Sequence, residues 1–154
     1  MFNDTVRDEA AASVLCWLAT VDGDGVPSVT PKEIFALDVA DRVLIADIAS
    51  AGSVRNAQAH GDVCVSFVDI FRQRGFKLIG RAEVVSPEDS GWAARVAPLM
   101  AKAGQAFTIR HVIVVTVTRI ARIRAPSYHA FPDKTEQDLR AEAYRTYGVR
   151  PADT

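Results

Sequence analysis

Val43-Leu44-Ile45-Ala46-Asp47-Ile48-Ala49-Ser50-Ala51-Gly52-Ser53-Val54-Arg55-Asn56 changes character halfway along. Its first half is apolar apart from Asp47 and carries β-branched residues, which predicts a buried strand. Its second half is small and polar, with Ser50, Gly52 and Ser53. A short helix is expected from about Val54 to Ala59, with Ser53 or Ser50 as its N-cap. A strand that runs through hydroxyl residues into a helix start leaves free N–H groups pointing outward. The helix dipole adds partial positive charge, so the place suits an anion. Arg55 sets a permanent, forked cation beside it. The same residues, taken alone, also describe an ordinary capped helix with a solvated arginine.

Upstream, Thr5-Val6-Arg7-Asp8 resembles a capping box, and Val6, Ala10 and Val14 share one helical face, so a first helix is expected to about Val14. Leu15 to Val21 reads as a strand. Asp22-Gly23-Asp24-Gly25 is a tight turn, since glycine supplies the positive φ such turns need. It lacks the later ligands and closing Glu of a calcium loop. Val26 to about Leu37 returns as a second strand, with Pro27 and Pro31 confining it to an edge or bulged geometry. Arg42 to Ile48 is the third.

Downstream, Val63 to Val68 is a fourth strand, followed by a polar loop from Asp69 to Gly75 and an alternating strand from Phe76 to Val85. Ser86-Pro87-Glu88-Asp89 has the composition of a helix start, Pro98 should kink or end that helix, and Gly104 follows it. Ile109 to Ile123 is a long strand or a bent pair. Pro132-Asp133 opens a last helix, a tail over Thr135 to Tyr147 with Leu139, Ala143 and Tyr147 on one face, closed by Gly148 and Pro151. Consecutive strands joined by tight turns demand an antiparallel sheet. The expected fold is mainly β with peripheral helices, six antiparallel strands closing into a small split barrel as one domain over residues 1–154.

The chain has 154 residues and a formal net charge of −1, so no electrostatic bias points to nucleic acid or an anionic membrane. No apolar run is long enough to span a bilayer, and Met1-Phe2-Asn3-Asp4 lacks the pattern of a signal peptide. Cys16 and Cys64 have no redox or metal spacing and read as small core residues, and a cytoplasmic location is expected. His60, His111 and His129 follow no ligand spacing. A Gly-x-Ser-x-Gly elbow and the usual glycine-rich nucleotide loops are missing. Lys32 and Glu33 interrupt an apolar strand, either as an exposed ion pair or with Lys32 facing a ligand phosphate. Tyr128-His129 either lines a pocket or is a plain loop.

The run Leu15 to Pro27, with its Ala19-Thr20, turn and Gly25-Val26-Pro27, resembles the first hairpin of the pyridoxamine 5′-phosphate oxidase-like, FMN-binding split-barrel family. Ser28-Val29-Thr30-Pro31-Lys32 continues the likeness. The strand, Ser-rich turn and basic, Asn-containing helix described first are similar to the family's next elements. Gly80-Arg81-Ala82-Glu83-Val84 resembles its Gly-x-Ala-x-Val strand. The likeness runs in order from Leu15 to Val85 and beyond that by element type only.

The resemblance implies a homodimeric antiparallel barrel with FMN at the subunit interface. By position, Ser50, Ser53, Arg55 and Asn56 would hold the FMN phosphate. Ile45, Ala46 and Asp47 would pass beside the flavin ring, partly through backbone groups. Thr30, Pro31 and Lys32 would line the ribityl and phosphate side, and Lys77 would approach from a neighbouring strand. Two departures set the chain apart from true pyridoxamine phosphate oxidases: Thr30 stands near the place of an expected Arg, and a helical tail replaces the basic C-terminal strands. Relatives of this barrel also use F420 or bind haem. No catalytic acid–base pair is visible. That agrees with a flavin supplying the redox chemistry of an oxidoreductase and equally with a binding module. Electron donor and substrate are not legible.

Overall fold

Alternating inward and outward side chains build a seven-stranded antiparallel sheet, and helices cover its openings and part of its outer face. The computed structural model describes residues 2–151. Along the chain come α1 (Asp4–Ala12), β1 (Cys16–Val21), β2 (Pro27–Lys32), β3 (Phe35–Leu37), β4 (Arg42–Asp47), α2 (Ala51–Ala59), β5 (Asp62–Asp69), β6 (Arg74–Val85), α3 (Trp92–Ala103), β7 (His111–Arg124), α4 (Ser127–Ala130) and α5 (Glu136–Tyr147). The sheet order is β2-β1-β5-β6-β7-β4-β3.

That order dictates the curvature. β2 and β3 are the two edges of the sheet, yet only Glu33 and Ile34 separate them in sequence. A flat sheet of this many strands would hold its edges about 29 Å apart at about 4.8 Å per strand. Three Cα steps reach at most about 11 Å. The sheet therefore curls until its edges meet, and the fold is a split barrel.

Two cores fill the two faces. Leu18, Phe35, Ile45, Val65, Phe67, Leu78, Ile113 and Val115 point inward, joined by Phe2, Val6 and Ala10 from the α1 end and by Val54 and Ala57 from α2. On the outer face Leu44, Ala46, Val112 and Val114 pack under Val96, Leu99 and Ala103 of α3. β4 and the start of β7 are thus buried on both sides, which is why both read as unbroken apolar runs. Among the described residues no helix is long and apolar enough to cross a membrane.

The expected six strands are seven. The single strand foreseen from Val26 to Leu37 breaks at Glu33-Ile34 because its halves serve different partners: Lys32 pairs with Cys16 of β1, and Phe35 with Ile45 of β4. The first helix is capped by Asn3, whose side chain accepts from the Val6 N–H, and ends at Ala12 rather than Val14. α2 starts at Ala51, not Val54. Ser86 to Asp89 form a turn, closed by the Asp89 carboxylate accepting from the Ser86 N–H at 2.6 Å, and α3 begins only at Trp92. Pro98 does not stop that helix, since Pro98 and Ala94, whose carbonyl it leaves without a donor, both face solvent. Tyr128 and His129 lie on the short α4 rather than in a plain loop. The last helix ends at Tyr147 as expected but opens at Glu136 rather than at Pro132-Asp133, because Thr135 and Asp138 form a capping box there.

Candidate site at the α2 end of the barrel

α2 lies over one opening of the barrel, and the inward positions beneath it are polar. Thr20, Lys32, Asp47 and Ser53 are all buried there. Burying such groups is costly unless each is hydrogen-bonded, and each is. Asp47 accepts from the Ser50 N–H at 2.8 Å through Oδ1 and meets His111 Nδ1 at 2.8 Å through Oδ2. Lys32 Nζ donates to Ser50 Oγ at 2.5 Å. Thr30 Oγ1 and Ser53 Oγ are 3.0 Å apart, and Asn56 Nδ2 donates to Thr20 Oγ1 at 3.0 Å. A continuous chain therefore joins β7, β4, the α2 N-cap and β2. Burial pushes the Lys32 ammonium below the ordinary lysine range, and the Asp47 carboxylate partly opposes that.

The N-terminus of α2 is built for an anion. The first intrahelical bond is Val54 N–H to Ser50 C=O at 3.1 Å, so the N–H groups of Ala51, Gly52 and Ser53 precede the ladder. The first turn carries no acid. Arg55 is exposed and folds back beside that turn: its Nη2 lies 4.0 Å from where a Cβ on Gly52 would stand. Ser50 occupies the N-cap position, but its hydroxyl caps no helix N–H because it serves Lys32.

Beside Ser50 opens a pocket of about 270 Å³, walled by Pro31, Ile34, Ala46, Ile48 and Phe107, with Glu33 at its edge and Lys32 at its base. Phe107 is half-exposed on the segment between α3 and β7, so a flat ring entering there meets an aromatic face.

The residues expected to form one site are only partly brought together. Pro31, Lys32, Ala46 and Ser50 line this pocket. Thr30, Ser53, Asn56 and Asp47 stand behind it, engaged in the interior bonds just described. Ile45 points into the barrel core and offers a ligand only its backbone. Lys77 is elsewhere. The register runs Pro31, Trp17, Ser66, Lys77 across β2, β1, β5 and β6, so Lys77 stands three strands from Pro31, about 14 Å. Phe107, Ile34 and His111 were not foreseen as site residues. His111 has no sequence spacing to any partner, and only the β4–β7 register sets it opposite Asp47.

The family model for pyridoxamine 5′-phosphate oxidase matches residues 2–124. No curated protein matches the sequence. Among solved structures, HupZ of Group A Streptococcus superposes with a TM-score of 0.70 at 23% identity, over 81% of this chain and 96% of that one. An FMN-binding protein of Syntrophomonas wolfei gives 0.65 at 14% identity, over 78% and 84%. HutZ of Vibrio cholerae, a haem storage protein, gives 0.60 at 17% identity, over 78% and 92%. At these identities the likeness to the three structures is one of fold.

Proposed function

Because the chain belongs to the pyridoxamine 5′-phosphate oxidase family, we propose that it is an FMN-binding flavoprotein, a homodimer that acts as an oxidoreductase on a substrate other than pyridoxamine phosphate. The observation that carries this reading is the α2 N-terminus: three N–H groups ahead of the helix ladder, no acid in the first turn, and the Arg55 guanidinium folded against Gly52. Such a donor set fits a phosphate monoester. Gly52 adds clearance, since an added Cβ there would meet nothing nearer than Arg55.

Arg55 and the backbone of residues 51–53 would hold the phosphate. Lys32 supplies a second positive charge behind Ser50 and keeps that hydroxyl oriented. The apolar walls of Ala46, Ile48 and Phe107 would take a ring and exclude water from it. The bound flavin supplies the electron transfer, while the chain binds, orients and shields. A second subunit is the natural cover for the outer sheet face, where Trp17 and Val29 are 44% and 57% exposed. A subunit placed there would also face Lys77.

A haem-binding reading has its own observation. His111 is anchored through Nδ1 on the buried Asp47 while its side chain stays 35% exposed, which leaves Nε2 as a ligating atom. The HutZ fold likeness agrees with it.

Parallel titrations with FMN, F420 and haem separate these readings. The flavin reading expects yellow protein that retains FMN through desalting and is reduced by NADH or NADPH and reoxidised. Colourless protein that takes up no added FMN overturns it.

A further inference from the structure

We infer that the pocket between α1, β3 and α3 binds a small dianionic carboxylate, held between Arg7 and Lys102. This pocket, about 230 Å³, shares no lining residue with the one beside Ser50. Its floor is small, with Ala10 and Ala11 from α1 and Ala36 from β3. Its walls carry two cations from two different helices.

Each cation is positioned by a backbone carbonyl and not by a carboxylate. Lys102 Nζ donates to Phe35 C=O at 2.7 Å and lies 5.0 Å from the centre of the Phe35 ring. Arg7 donates to Asp38 C=O through both Nη atoms at 3.2 Å. Among the described residues neither cation takes part in a salt bridge. The nearby Asp38 carboxylate is committed to Arg42 at 2.6 Å and to the N–H groups of Ala40 and Arg42. Asp41 takes the Phe2 N–H at 2.7 Å and lies within electrostatic reach of Arg7, so Lys102 is the less compensated of the two.

The strand between them adds a donor. Asp38 N–H bonds to Arg42 C=O and Ala46 N–H to Ile34 C=O, so the Ile34 carbonyl, the backbone groups of Ala36 and the Asp38 N–H face β4, while the Asp38 carbonyl, past the end of β3, is taken by Arg7. By the alternation of an antiparallel ladder, Phe35 and Leu37 turn theirs to the free edge. Lys102 takes the Phe35 carbonyl there, and the Leu37 N–H points to the same edge, which the pocket adjoins.

The number of charges selects the ligand class. Two cations from two helices line one pocket, so a ligand with two anionic groups can engage both. A short dicarboxylate supplies both groups, and the alanine floor accepts its methylenes. A monocarboxylate engages only one cation.

The test is calorimetric titration of the full chain with succinate, glutarate and acetate at matched ionic strength. Succinate or glutarate should bind at least about tenfold more tightly than acetate, and Arg7→Gln and Lys102→Gln should each weaken that binding about tenfold or more. Ala11→Leu keeps both cations but fills the exposed floor, and should also abolish binding. FMN uptake, measured on the same variants, should not change, so this site and the flavin site stand or fall separately. Dicarboxylates that bind no better than acetate, or that bind all three variants as they bind the unaltered chain, overturn the inference.

Discussion

Asp47 and His111 face each other across the β4–β7 register, and their side chains meet at 2.8 Å on the inward face, beneath α2. The same carboxylate also holds the Ser50 N–H at the helix start. One buried residue therefore fixes both an imidazole and the N-cap of the helix that would receive the phosphate. Asp47→Ala leaves two partly buried groups, the Ser50 N–H and the His111 ring, without their partner and should cost roughly 1–3 kcal/mol of folding stability. FMN affinity should fall with it, because the helix start loses its anchor. Urea unfolding and a flavin titration check this, and a variant as stable as the unaltered chain would show the pair to be incidental.

Arg55 gives the opposite signature. Its guanidinium is exposed beside Gly52 and contributes little to packing. Arg55→Ala should leave the unfolding midpoint nearly unchanged. FMN binding should weaken roughly tenfold to a few hundredfold, at about 1.4 kcal/mol per decade. Riboflavin, without a phosphate, should bind both forms equally poorly. Unaltered FMN affinity in the variant places the phosphate elsewhere.

Lys32 predicts a pH dependence. Burial holds its ammonium below the ordinary lysine range, with Asp47 only partly compensating. The unfolded chain therefore binds this proton more tightly than the folded one. Between the lowered folded value and the ordinary value of about 10.4, folding stability rises with pH, and below that window the full penalty applies. Lys32→Met should thus be at least as stable as the unaltered chain at pH 7, with the difference narrowing at alkaline pH, while FMN uptake drops. Denaturation curves at pH 7 and 9.5 read this directly. A variant less stable at both pH values would contradict it.

Gly80 is fixed by contact, not by φ. β6 and β7 shift register between Ile79 and Gly80, and a Cβ on Gly80 would lie 2.1 Å from the Thr116 carbonyl oxygen. Backbone cannot give way as a side-chain tip can, so Gly80→Ala should cost on the order of 3 kcal/mol or prevent folding. Expression yield and thermal midpoint test it, and a variant that melts with the parent chain refutes the packing argument.

The proposed dimer rests on the outer sheet face. Trp17 and Val29 are exposed there, and Trp17 stands in the same register row as Lys77. Light scattering at micromolar concentration should give twice the chain mass, and Trp17→Arg should give a single chain. A monomeric parent protein would remove the second subunit from the flavin site.

Most of the fold was legible because it rests on local chemistry. The Asp22 to Gly25 turn, the apolar run of β4 and the alternation of β6 each announce themselves within a few residues. The missed break at Glu33-Ile34 is different in kind. Val26 to Leu37 reads as one strand in sequence, and nothing in its composition says that the two halves pair with different strands. The site divided in the same way. Ser50 and Arg55 could be read from a helix start and Lys32 from an interrupted apolar strand. His111 and Phe107 reach the site only through the β4–β7 pairing and the return from α3, which no spacing encodes. The hydroxyls of Ser53 and Thr30 look like ligand contacts in sequence, whereas the structure turns them toward each other.

The two-residue bend between β2 and β3 also governs how the molecule opens. Glu33 and Ile34 join the sheet's two edges, and both border the pocket beside Ser50. A ligand seated there clasps the seam of the barrel, touching Pro31 and Lys32 on one edge strand and Ala46 next to the other. Occupancy and opening then become one equilibrium. Amide hydrogens of the short β3 and the end of β2 would exchange with solvent as the seam parts, and a bound ligand would slow them first, ahead of the deeper β6–β7 ladder.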